Sequence, residues 1–169
     1  MPCPMCKKSH DYTIDQALTN LAGTARRLER LVAGLGARKA AARPSPDKWS
    51  AKEIVCHLAD CELVYGLRYR KILSEPGAAL VAFDQDAWAN SLQYRQQPVK
   101  GALATFQALR SGHVALLKGL PEAAWNKAGQ HPSYGELTLR QLVAHLVDHD
   151  RNHTAQVENL SRAAGAKKA

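Results

Sequence analysis

Apolar side chains recur at intervals of three and four through most of this chain, the period of a helix that buries one face. In the first such stretch, residues 11–35, Ile14, Leu18, Leu21, Ala25, Leu28, Val32 and Leu35 form one stripe. Gly34 and Gly36 are expected to end it ahead of the loop ARPSPDKW. The second helix opens at Ser50. There Ser50 and Glu53 spell the S-x-x-E capping box, with Trp49 placed as a hydrophobic staple, and the helix runs to about Leu73, before Glu75-Pro76-Gly77. Pro98 suits the first turn of a third helix, which Val99, Leu103, Phe106, Leu109, Val114 and Leu117 continue to about Leu120. Thr138 and Gln141 repeat the capping box, and a fourth helix runs to about Ala164, with Gly165 at its end.

Two long connections separate these helices, residues 75–97 and 121–136, and connections of that length in a compact domain are often functional. No stretch alternates well enough to predict a strand. The predicted class is therefore all-α, a four-helix bundle with long loops between helices two and three and between three and four. The bundle is expected to occupy residues 11–165. A flexible N-terminal segment (1–10) precedes it and a basic tail (166–169) follows. WSAKEIVCHLADC at 49–61 aligns with LTLRQLVAHLVDH at 137–149, which makes the second and fourth helices counterparts in a pseudo-repeat.

Composition narrows the class. With 169 residues, 46% of them hydrophobic and 22% charged, the chain is the size of one domain and can bury a core. The net charge of +8 is spread along the sequence, and aromatic residues do not alternate with basic ones, so a basic solvated surface is favoured over nucleic-acid binding. No run is long and apolar enough for a membrane span, and MPCPMCKKSH has no apolar signal core, so a cytoplasmic location is expected by default. Free thiols are the default there. Cys3 and Cys6 form a CxxC with His10 four residues on, half of a zinc knuckle with nothing nearby to complete it.

The chemistry concentrates in LVDHDRNHTAQV. His145, His149 and His153 stand at i, i+4 and i+8, a single stripe on a helix. Neighbours in the stripe are about 6 Å apart along the axis and can share an ion at roughly 2.1 Å, whereas the outer two are about 12 Å apart. One adjacent pair therefore needs a third ligand from elsewhere. His57, on the otherwise apolar stripe of the second helix with Cys61, Val64 and Arg68, is the natural donor. An antiparallel packing of helices two and four selects His149 and His153, and a parallel one selects His145 and His149. Three neutral imidazoles suit Zn, Ni, Fe or Cu and leave a coordination position open, the pattern of a catalytic site. Spacing alone reads equally as a metal site or as a histidine-bearing solvated face.

The ordered set KWSAKEIVCHLADCE, RYR, FDQDAW, His131-Pro132 and LTLRQLVAHLVDHDRNHTAQV resembles the DinB superfamily, and within it the YfiT-like branch of metal-dependent hydrolases, over about residues 12–162. The resemblance implies a four-helix bundle, commonly dimeric, acting on a small-molecule substrate. It also implies a divalent metal, nickel or zinc, on His57, His149 and His153, which leaves His145 as a neighbour. Members with known chemistry include transferases and isomerases that use a low-molecular-weight thiol. The metal is thus expected to activate either such a thiol or water. A non-catalytic, metal- or small-molecule-binding stress-response bundle is the alternative. The branch is often richer in His near the last motif, where this chain carries Asp150, Arg151, Asn152 and Gln156.

Other residues carry narrower expectations. Arg68, inward-facing, requires an acidic partner, Asp84 or Asp86, or a substrate carboxylate. Asp60 and Asp148, equivalent in the pseudo-repeat, are placed to orient a ligand histidine or to remain surface charges. Trp88 and His131 lie in the long loops and are candidates to line the pocket, with packing the commoner role for Trp. Cys61 shares the His57 stripe and is read first as a buried core thiol.

Overall fold

A computed structural model describes residues 3–5, 7 and 11–166. Four long helices account for most of the chain: α1 (Ile14–Ala40), α2 (Ala51–Ser74), α4 (Val99–Lys118) and α5 (Leu139–Ala166), with a short α3 (Gln85–Ser91) between the second and third of them. The four-helix bundle is thus present. Leu18, Leu21, Leu28, Val32 and Leu35 are buried as their spacing requires. Gly36 does not end α1. It takes φ 71°, a left-handed value that glycine adopts at little steric cost, and the helix kinks there before continuing to Ala40.

The two long connections hold structure that the apolar pattern does not predict. Asp84 caps α3 by accepting from the Asp86 and Ala87 amides. A 3₁₀ turn (Glu122–Asn126) leads into a hairpin of β1 (Ala128–His131) and β2 (Gly135–Thr138). Each strand has four residues, too short for alternation to register. The first connection adds to the hairpin: Gln130 N donates to Ala78 O and Leu80 N donates to Gln130 O. A side chain at Gly129 would meet Leu80 Cδ2 at 2.6 Å, so glycine is what permits this close approach. Both loops are thereby fastened to each other at one end of the bundle.

Within the bundle α1 packs along α5, and α2 along α4. The apolar core falls into two clusters, one around Tyr69, Ile72, Leu117 and Leu142, the other around Leu28, Leu58, Tyr94 and Phe106. Buried charge lies between them. Arg110 of α4, 1% exposed, donates to Asp150 of α5, to Glu62 of α2 at 2.7 Å and to the Leu21 carbonyl of α1 at 3.0 Å. His113 Nδ1 is 2.9 Å from the other Glu62 oxygen, and its ring fits because position 66 is glycine: a Cβ there would meet His113 Nε2 at 2.2 Å. One guanidinium therefore ties all four long helices. Cys3 is buried, with its Sγ 4.0 Å from Gln141 O, whereas the expected partners Cys6 and His10 lie outside the described residues. Among the described residues no helix is long and apolar enough to cross a membrane.

The α2 cap is reinforced. Ser50 Oγ accepts from Glu53 N, and the buried Glu53 carboxylate takes hydrogen bonds from Ser50 N, Ser50 Oγ and Arg43. Burial alone would raise this carboxyl; Arg43 and Ser50 instead lower it to about 2 from an ordinary 4.5. Between those values the native chain binds fewer protons than the unfolded one, so this contribution to stability is complete above about pH 4.5 and lost as the pH falls toward 2. Glu53→Gln is expected to be less stable than wild type near neutrality. The gap should close as the pH drops through that range, read from urea midpoints; a gap independent of pH would contradict it.

Candidate metal centre

The caps place the histidines. Starting α2 at Ser50 turns His57 inward, 1% exposed, with Cys61 one turn further on. Starting α5 after Thr138, whose side chain accepts from Gln141 N, sends His145, His149 and His153 down one face. His57 Nε2 lies 3.1 Å from His149 Nε2, and Cys61 Sγ lies 3.4 Å from the same His57 atom. The His153 ring centroid is 4.9 Å from that of His57 and 4.5 Å from that of His149, whereas His145 stands off at 6.3 Å from His149. Further along α2, Arg68 meets His131, which precedes α5, so the two helices run in opposite directions. That is the packing for which the spacing alone points to His149 and His153, although His145 also lines the adjacent cavity. Among the described residues, the possible metal-binding atoms that gather within 4.8 Å of one another are those of His57, Cys61 and His149.

Burial and mutual proximity keep these imidazoles neutral. Desolvation, then His153, lowers His57 to about 3 from 6.5. His149 is depressed strongly by burial and by the three neighbouring histidines. Burial also lowers His153, against the pull of a hydrogen bond to Gln156. That bond, Nδ1 to Gln156 Oε1 at 2.9 Å, fixes the tautomer: Nδ1 carries the proton and Nε2 keeps its lone pair. His149 Nδ1 is buried with no hydrogen-bond partner.

A cavity of about 350 Å³ opens from His57, Cys61 and His149 toward Arg68 and His131, walled by Tyr65, Phe83 and Tyr134. Arg68 makes no ion pair with Asp84 or Asp86. Asp84 is held at the α3 cap, and the guanidinium donates instead to Val81 O through Nε at 2.9 Å and through Nη2. His131 Nδ1 accepts from Ser133 N, which leaves its proton on Nε2, 3.2 Å from Arg68 Nη2. Two donors therefore face each other at this end of the cavity. Trp88 packs on Phe83, whose ring centroid is 6.4 Å from that of His57. Asp60 accepts from Tyr94 Oη rather than from a histidine, and Asp148 accepts from Tyr12. Trp49, read from sequence only as a staple, stacks on His153 with 15° between planes. A second cavity, about 490 Å³, lies beyond that pair and includes Ile54, Asp86 and Leu160.

The comparisons agree with this architecture. The sequence model of the DinB superfamily matches residues 20–157. YfiT of Bacillus subtilis is 30% identical over 118 residues, covering 69% of this chain and 66% of that protein. A Geobacillus kaustophilus protein named in the same terms is 29% identical over the same shares of each chain. The chain thus spans just under two thirds of the length of these relatives. The structure of YfiT, described as "a probable metal-dependent hydrolase with an unusual four-helix bundle topology", superposes with a TM-score of 0.86 over 94% of this chain and 93% of that one, at 24% identity. A DinB-like protein of the same organism superposes with a TM-score of 0.60 at 15% identity over 89% of this chain and 92% of its own. With its family motifs carried on α2 and α5 of a matching bundle, this chain belongs to the DinB superfamily.

Proposed function

We propose that this chain is a metal-dependent enzyme in which His57, His149 and His153 hold one divalent ion, zinc or nickel, with His57 and His149 lining the 350 Å³ cavity and His153 the second one. The observation that carries the reading is the 3.1 Å approach of two imidazole Nε2 atoms from separate helices. Two nitrogens each about 2.1 Å from one tetrahedral ion lie roughly 3.4 Å apart, close to this spacing. Neutral rings and a fixed His153 tautomer fit the same donor set. When bound, such an ion supplies a Lewis acid that lowers the proton affinity of a coordinated water or thiol toward neutrality.

The chain's own residues do the rest. Gln156 aims His153, and Trp49 closes the cluster on the side of the second cavity. Phe83 and Tyr65 form one wall of the cavity beside the cluster. Arg68 and His131 line the far end of the cavity, where a guanidinium suits the carboxylate or phosphate of a small-molecule substrate. Hydrolysis is the first reading. Transfer by a low-molecular-weight thiol is the second, favoured by the same Arg68 end because such thiols carry carboxylates. Metal analysis of protein purified without chelator tests the core of the proposal. Wild type is expected to retain about one zinc or nickel per chain and His57→Ala essentially none. Equal content in both, or no uptake by wild type after incubation with either ion, would overturn it.

A further inference from the structure

The geometry points to Cys61 as a sulfur ligand of the same ion, an inference that rests on the metal reading above and gives the site a mixed nitrogen and sulfur donor set. Cys61 follows His57 by one helical turn, so the two side chains leave the same face of α2 toward α5. Its Sγ is 3.4 Å from His57 Nε2, and both lie within 4.8 Å of the His149 donor. For nitrogen at about 2.1 Å and sulfur at about 2.3 Å from one tetrahedral ion, the nitrogen–sulfur edge is roughly 3.6 Å. The two observed edges, 3.1 Å and 3.4 Å, are each a few tenths shorter, in the same order. The thiol has no other polar contact among the described residues: its neighbours are the two nitrogens of His57.

Cys56 provides the contrast. It is equally buried and also on α2, but its Sγ faces the Tyr94 carbonyl at 3.9 Å. Of these two buried α2 thiols, Cys61 is the one that faces the histidine cluster. On binding, the S–H bond breaks, the proton leaves to solvent and the electron pair stays on sulfur as the donor. Sulfur ligation favours zinc over the harder cations and, with three histidines, completes four protein ligands.

Cobalt(II) titration of the metal-free protein, followed by absorption, tests this. All proteins carry Cys3→Ser and Cys6→Ser so that the N-terminal thiols contribute nothing. Wild type at position 61 is expected to show both the visible ligand-field bands and an intense near-ultraviolet sulfur-to-cobalt charge-transfer band. Cys61→Ser should keep the visible bands and lose the near-ultraviolet one, and Cys56→Ser should keep both. Visible bands that depend on His57, with no charge-transfer band at any stage, would overturn the sulfur ligand and leave the histidine site standing. No cobalt bound by any protein would overturn both.

Discussion

Arg110→Met is expected to destabilise the fold by roughly 3–5 kcal/mol, the cost of breaking a buried ion pair from one side. The guanidinium is 1% exposed and is the shared cation of Glu62 and Asp150, which are buried as completely. Methionine approximates its volume, so the loss reports charge and not a cavity. Burial by itself would raise Glu62, but His113 and Arg110 hold it below its ordinary value. Burial does raise Asp150, against the pull of Arg110. Without Arg110, Asp150 must be protonated to stay buried, while Glu62 keeps His113 as its partner. The native variant then binds a proton that the unfolded chain does not, and its stability rises as the pH falls. Urea midpoints of Arg110→Met should thus approach wild type in mild acid. In a Glu62→Gln, Asp150→Asn background the same substitution should cost much less. An equal cost in both backgrounds would show that the network is not electrostatically coupled.

With the proposed ion loaded, its removal by a chelator is expected to lower the unfolding midpoint of wild type by roughly 5–10 °C and to leave that of His149→Ala unmoved. The donors come from α2 and α5, so the unfolded chain does not assemble them, and binding free energy becomes folding free energy. Free metal at about a hundred times the dissociation constant stabilises by about 2.7 kcal/mol, and in a domain of this size each kcal/mol is worth about 2–4 °C. His149 is the ring that contacts every other member of the cluster: 5.1 Å to His57, 4.5 Å to His153 and 6.3 Å to His145 between centroids. The metal-free forms of the two proteins should differ less. Truncation opens a small cavity but also removes a buried Nδ1 that nothing satisfies. The same drop on adding a chelator to both proteins would place the ion elsewhere.

Residues that act within one helix were legible in the chain, and some that act across helices left a trace. Arg110 and His113 share a stripe with Phe106 and Leu117 at helical spacing, and Glu62 shares one with Leu58, Tyr65 and Tyr69. A charge on a core stripe is a readable signal, although the identity of its partner is not. Arg68 illustrates the limit. Its inward position follows from the period, but its contacts, Val81 O and His131, depend on two loops meeting at one end of the bundle. The nearest acids in sequence, Asp84 and Asp86, were the natural partners to expect, yet Asp84 is held by its own helix cap.

The sequence by itself determined the four long helices, their caps at Ser50 and Thr138, and the faces on which His57 and the last three histidines lie. These are properties of periodicity and of hydrogen bonds spanning three or four residues, and neighbours along the chain suffice to specify them. Only the tertiary structure decided the kink at Gly36 in place of an end, the hairpin formed from two four-residue strands, the stacking of Trp49 on His153, and the presence of Cys61 beside His57 and His149. Each of these depends on the rotation and depth at which one element packs against another, set by the whole core at once.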